Sequence, residues 1–121
     1  MKAIFDSDIL IDYLDGIEKA REELHKYSER CISIISWIEI MVGTGTQEEE
    51  RKCRAFLASF RVILVDEAIA DKAYTLRKRR GTKVPDALIW ATAIQERCIL
   101  VTRNKKDFPL ADPGIRIPYE V

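Results

Sequence analysis

Residues 1–16, MKAIFDSDILIDYLDG, decide how the rest of the chain reads. Lys2 to Phe5 is a short apolar run that stops abruptly at Asp6. Ile9, Leu10, Ile11, Tyr13 and Leu14 then recur at helical spacing until Gly16 ends the pattern. A nearly all-apolar strand feeding a helix is the unit of a parallel sheet covered on both faces. The unit recurs along the chain. Ile17 to Tyr27 predicts an amphipathic helix on Ile17, Ala20, Leu24 and Tyr27, Cys31 to Ile35 a buried strand, and Ser36 to Gly43 another helix. Glu48 to Phe60 predicts a helix, with Cys53, Phe56, Leu57 and Phe60 on one face, and Val62 to Val65 a strand. Asp66 suits the N-cap of a helix that buries Ile69, Ala70, Ala73 and Leu76 and ends at Gly81. Pro85 suits the first turn of the next helix, with Leu88, Ala91 and Ile94 inward. Cys98 to Val101 and Ile115 to Ile117 complete the strands. The expectation is an α/β three-layer sandwich with a mainly parallel sheet of four to five strands, one domain over residues 1–121.

The 121 residues are 47% hydrophobic and 33% charged, a globular composition that argues against a disordered or fibrous chain. The most apolar stretch, Cys31 to Val42, is too short for a membrane span and carries Glu39. Asp6 and Asp8 interrupt what would be the apolar core of a signal peptide, so the expected location is cytoplasmic. Three widely spaced cysteines and one histidine, His25, exclude most structural zinc patterns and any disulfide framework. Twenty basic and twenty acidic residues cancel, so any contact with nucleic acid must come from a local patch.

In open parallel sheets, sites form beyond the carboxyl ends of the strands, where strand order reverses. Asp6 and Asp8 follow the first strand, Glu39 the second and Asp107 the fourth, while Asp86 sits in the first turn of an otherwise apolar helix. Each has a structural explanation. Asp6 or Asp8 would cap a helix, Ser36 and Glu39 match a capping box, and Asp86 would face a helix dipole. Together they need another one, because two like charges ~4 Å apart repel by ~4 kcal/mol at an effective dielectric of ~20. A divalent cation held by oxygen ligands, Mg²⁺ or Mn²⁺, answers that repulsion. No Gly-x-Ser-x-Gly turn and no phosphate-binding glycine loop exists, which leaves metal-activated water attacking a phosphodiester as the chemistry the inventory permits.

Directly before Asp86 lies the basic run Arg77, Lys78, Arg79, Arg80, Gly81, Thr82, Lys83. One reading is a solvated helix end. The other is a rim that binds a polyanion backbone, extended by Arg103, Lys105 and Lys106 beside Asp107.

Four segments, FDSDILIDYLDG, SWIEIMVG, VPDALIWATA and LVTRNKKDF, resemble in order and spacing the PIN-domain ribonucleases, most closely the VapC-type toxins of prokaryotic toxin–antitoxin pairs. The resemblance implies that Asp6, Glu39 and Asp86 are catalytic acids, with Asp6 and Asp86 holding the principal metal. It implies a fourth acid at Asp107, with Asn104 as its neutral supporting neighbour, and a hydroxyl at Ser7 that fixes the first acid or a metal-bound water. Asp8 falls where similar chains carry a small polar residue. The implied activity is Mg²⁺- or Mn²⁺-dependent endonucleolytic cleavage of RNA. The implied partners are RNA, a VapB-like antitoxin and a second copy in a homodimer.

Two other classes account for part of the pattern. A receiver-type phosphoacceptor domain could use Asp66 and Thr102, but IRIPYEV offers no lysine after the last strand and Glu39 and Asp86 are left unexplained. A catalytically silent module of the same fold would bind RNA or protein without turnover.

Overall fold

The computed structural model describes residues 1–121. The chain order is β1 (Lys2–Phe5), α1 (Ser7–Leu14), α2 (Glu18–His25), β2 (Glu29–Ser33), α3 (Ile34–Val42), α4 (Gln47–Leu57), β3 (Arg61–Ile63), α5 (Glu67–Arg80), α6 (Val84–Gln95), β4 (Ile99–Val101) and β5 (Ile115–Arg116). The five strands form one sheet in the order β3-β2-β1-β4-β5, and every pair is parallel. Ile4 lies opposite Cys31 on one side and Leu100 on the other.

The all-apolar strands follow from burial on both faces. Ala3 and Phe5 join one cluster with Ile9, Leu10, Leu24, Ile32 and Leu57. Ile4 points the other way, into a cluster with Ile69, Ala87, Ile89, Trp90 and Phe108. Alternate residues of one strand therefore serve two helical layers, as a period of two requires. Asp66 caps α5 by accepting from Ile69 N at 2.8 Å, and Gly81 ends that helix at φ 73°, a left-handed conformation that glycine adopts without steric cost.

The structure departs from the sequence-based expectations at several points. The helix after β2 starts earlier than predicted: Ser33, not Ser36, caps α3 and accepts from Ile35 N at 3.0 Å, so Ser36 lies inside the helix with its hydroxyl buried and unpartnered. The capping box is therefore absent and Glu39 is free for another partner. Only Arg61–Ile63 of the third strand pairs, because β3 is an edge strand and Leu64 turns outward. Ala70 and Ile94 are exposed rather than inward, since α5 and α6 bury adjacent stripes, through Ile69 and Ala73 and through Ala87, Trp90 and Ala91. No helix is long and apolar enough to cross a membrane.

Candidate active site

Going outward from β1, the chain runs to β2 on one side and to β4 on the other, so strand order reverses between β1 and β4. Their carboxyl ends carry Asp6 and Thr102. Asp6 does two jobs at once. Its Oδ1 accepts from Ser7 N at 2.7 Å as the N-cap of α1, and its Oδ2 accepts from the Thr102 hydroxyl at 2.7 Å. The capping explanation is thus correct and uses only one of the two oxygens.

Asp6 is only 6% exposed. Burial, followed by the Asp8 carboxylate, pushes its pKa up to about 7 against the lowering effect of these two hydrogen bonds, and the charge of Asp86 adds to the rise. Asp8, in the first turn of α1, is also raised by burial, although Arg103 N donates to its Oδ2 at 3.1 Å. Asp8 Oδ1 is buried with no partner.

The other acids approach from different elements. Glu39 on α3 accepts the Ser7 hydroxyl at 2.6 Å, which ties the start of α1 to α3. Asp86, half-buried in the first turn of α6, is raised by burial and then by Asp107 and Glu39, with Lys83 partly offsetting them. Asp107 is bracketed by Asn104, which donates from Nδ2 to Asp107 Oδ2 at 2.9 Å and accepts from Asp107 N at 3.1 Å. Asp86 thus lies within electrostatic reach of Asp6, Glu39 and Asp107.

No ion pair neutralises this group, and Lys83 only partly offsets the charge around Asp86. None of the ion pairs uses Asp6, Asp8, Glu39, Asp86 or Asp107. No three His, Cys, Asp or Glu side chains lie close enough together to hold a metal ion as a group, so any ion here would take most of its ligands from water. The donor set fits a hard divalent cation that keeps part of its water shell: all oxygen, anionic, and with one buried carboxylate oxygen unpartnered. Asp6 and Asp86 could hold such an ion. Zinc would ask for nitrogen or sulfur ligands.

The basic residues divide. Arg77 Nη1 donates to the carbonyls of Gly81 and Thr82 at 3.1 and 3.4 Å, closing the end of α5. Arg80 lies over the Trp90 ring at 5.3 Å, and Lys78 over Tyr74 at 6.0 Å. Arg79 and Lys83 are exposed without ion-pair partners. Arg80, Lys105 and Lys106 line a cleft of about 260 Å³ that also includes Asp107 and Phe108. The Arg103 guanidinium turns away from this rim and grips Asp12, with Nε to Oδ2 at 2.5 Å and Nη2 to Oδ1 at 3.0 Å.

Three contributors were not singled out for this site from the sequence: Thr102, Asp12 and Tyr119, whose hydroxyl donates to Asp12 Oδ2 at 2.8 Å. Thr102 and Asp12 sit on the same elements as named acids, so adjacency was the available signal. Tyr119 gave none. Asp66 stays apart as the cap of α5 on an edge strand, with β2 between β3 and β1, which removes the geometry a receiver domain would need.

A family model described as "PIN domain" matches residues 3–112. Ribonuclease VapC10 of Mycobacterium tuberculosis (strain CDC 1551 / Oshkosh) is 34% identical over 126 residues, covering 98% of this chain and 93% of that protein. Among solved structures, a toxin-antitoxin complex from Klebsiella pneumoniae contains a chain 40% identical, superposing with a TM-score of 0.92 over 98% of this chain and 99% of that one. DNA-bound VapBC from Salmonella typhimurium gives 26% identity and a TM-score of 0.74, covering 96% of both chains. With acids on four separate elements at the strand-order reversal and a family match across most of its length, the chain belongs to the PIN domain family.

Proposed function

We propose that this chain is a divalent-metal-dependent endoribonuclease and the toxin of a VapBC-type toxin–antitoxin pair. The observation that carries the reading is the group of acids at the reversal point that no cation of the chain neutralises. The ribonuclease name of the relative from Mycobacterium tuberculosis supports it, as does the toxin–antitoxin composition of the structure from Klebsiella pneumoniae.

Asp6 and Asp86 would hold Mg²⁺ or Mn²⁺, which when bound lowers the pKa of water and screens a phosphodiester's charge. The chain's residues do the rest. Thr102 and Ser7 N fix both oxygens of Asp6, so its carboxylate meets a ligand in one orientation. Ser7 holds Glu39 and Asn104 holds Asp107. Glu39 and Asp107 would then orient a water for in-line attack on the phosphorus and receive its proton at a carboxylate oxygen, while the ester P–O bond opposite the water breaks and the departing ribose oxygen takes a proton from solvent. Arg79, Arg80, Lys83, Lys105 and Lys106 line the path of an RNA backbone, while Arg77 and Lys78 contribute charge from the end of α5.

Glu39 also borders a groove of about 560 Å³ lined by Ile11, Leu14, Ile40 and Cys53. Its apolar floor beside a carboxylate suits an antitoxin segment that carries a cation into the site. The exposed Ile38 and Val42 of α3 offer apolar surface for a second copy in a homodimer.

The test is cleavage of a labelled RNA pool by purified protein with Mg²⁺ or Mn²⁺ against a chelator control. Metal-dependent endonucleolytic products that Asp86→Asn abolishes support the reading. Tight RNA binding without turnover in any divalent metal would favour the silent module.

A further inference from the structure

The loop between β4 and β5 is held to the site at three consecutive residues. Thr102 donates to Asp6, Arg103 N donates to Asp8, and Asn104 brackets Asp107 while its own N–H donates to the Thr102 hydroxyl at 3.0 Å. Farther on, Phe108 is 1% exposed and packs edge-on against Trp90. Only the Arg103 side chain leaves the acids. It runs to Asp12, about one helical turn beyond Asp8 on α1, so two carboxylates at i and i+4 hold one residue, by its backbone and by its guanidinium.

The pair is built rather than incidental. Asp12 is 6% exposed, accepts from two of the three guanidinium nitrogens, and takes a third hydrogen bond from the Tyr119 hydroxyl. A two-pronged arginine–carboxylate contact fixes orientation as well as distance. The Nε–Nη2 edge of the guanidinium is committed to Asp12, which fixes the direction in which the Arg103 side chain runs.

We propose that Asp12, Arg103 and Tyr119 form a positioning clamp that sets the register of the β4–β5 loop on α1, so that Thr102 and Asn104 present Asp6 and Asp107 to the metal in their working orientations. Arg103 is thus a positioning residue and makes no RNA contact. This rests on the nuclease reading for its activity arm alone. Its other arms, metal affinity and loop protection, are measured without substrate.

The experiment compares the full chain with Arg103→Lys, Arg103→Gln and Tyr119→Phe. Mn²⁺ affinity is read by calorimetry, amide exchange of residues 102–108 by mass spectrometry on metal-free protein, and cleavage as kcat and KM across a salt series. The clamp predicts that Lys fails nearly as badly as Gln, because a point charge cannot reproduce the fork. Both should lose about 10–100-fold in Mn²⁺ affinity and kcat, the scale of residues that support metal ligands. KM and its salt dependence stay unchanged, and exchange in residues 102–108 accelerates. Tyr119→Phe, which removes one hydroxyl and folds normally, moves the same readouts in the same direction by a smaller factor. The proposal is overturned if Arg103→Lys retains Mn²⁺ affinity and kcat while Arg103→Gln raises KM and flattens its salt dependence. Unchanged exchange and Mn²⁺ affinity in Tyr119→Phe and both Arg103 variants also overturns it. Wild-type protein that binds Mn²⁺ and cleaves no RNA would overturn the nuclease reading instead, with the clamp still decided by affinity and exchange.

Discussion

Thr102 Oγ1 donates to Asp6 Oδ2 across 2.7 Å, joining the carboxyl ends of β4 and β1 although the residues stand 96 positions apart. The bond stabilises the charged form of Asp6 against the burial that opposes it. Replacing Thr102 by Val keeps the shape and removes the hydroxyl, which also leaves Asn104 N without its acceptor. The expected result is Mn²⁺ binding weaker by about 10–100-fold, read by calorimetry, with a loss of ~1–3 kcal/mol of stability from the stranded groups.

Asp6→Asn and Asp86→Asn should each lower RNA cleavage by at least ~100-fold while the circular dichroism spectrum stays that of the wild type. Asn at position 6 still accepts from Ser7 N, so the cap of α1 survives. Either variant cutting RNA at the wild-type rate would remove that residue from the chemistry.

The Asp6 carboxyl also makes stability depend on pH in a direction opposite to that of a salt-bridged acid. Its folded pKa, about 7, lies above the ordinary carboxylate value, so the folded state binds the proton more tightly than the unfolded one. Its contribution is fully present below about pH 4 and is lost as pH rises toward 7. In chelator, Asp6→Asn should therefore melt higher than the wild type at pH 8, and the gap should close by pH 4. A gap that widens on acidification would contradict the desolvated carboxyl.

On the basic rim, Arg79→Ala and Lys83→Ala should each reduce the slope of log affinity against log salt by ~0.7 for single-stranded RNA. Arg77→Ala should act differently. Because its guanidinium holds the carbonyls of Gly81 and Thr82, the change should lower the melting temperature along with affinity. Equal salt slopes for the wild type and the Arg79 and Lys83 variants would place the RNA elsewhere.

Away from the site, Glu23 is 2% exposed and accepts from Arg116 through both oxygens and from the Tyr27 hydroxyl, which pins the C-terminal segment to α2. Arg116→Met should cost ~1–3 kcal/mol in urea unfolding by leaving that carboxylate short of donors. Solvent reaches the arginine side of the pair, which keeps the figure below that of a fully buried pair.

The fold was legible because its signal is local. Apolar strands of four or five residues, Asp66 as a cap and Gly81 as a stop can each be read from a few neighbours. The start of α3 is ambiguous for the same reason: Ser33 and Ser36 both satisfy the local cap pattern, and only pairing of β2 through Ser33 with Ile63 decides between them. The acids were visible because carboxylates stand out in apolar surroundings. Their supports were not. Thr102, Asp12 and Tyr119 are ordinary residue types whose partners lie 91 to 107 positions away. Arg103 shows the limit most plainly: next to basic neighbours it reads as one more rim cation, and its commitment to Asp12 depends on how β4 meets α1.

The most direct test of the central claim is a crystal of the wild-type chain soaked in Mn²⁺, with the ion located by its anomalous signal. A single cluster is expected, with Asp6 and Asp86 oxygens as inner ligands and Glu39 and Asp107 reaching the ion directly or through water. Manganese bound elsewhere, or a vacant reversal point at millimolar Mn²⁺, would contradict it.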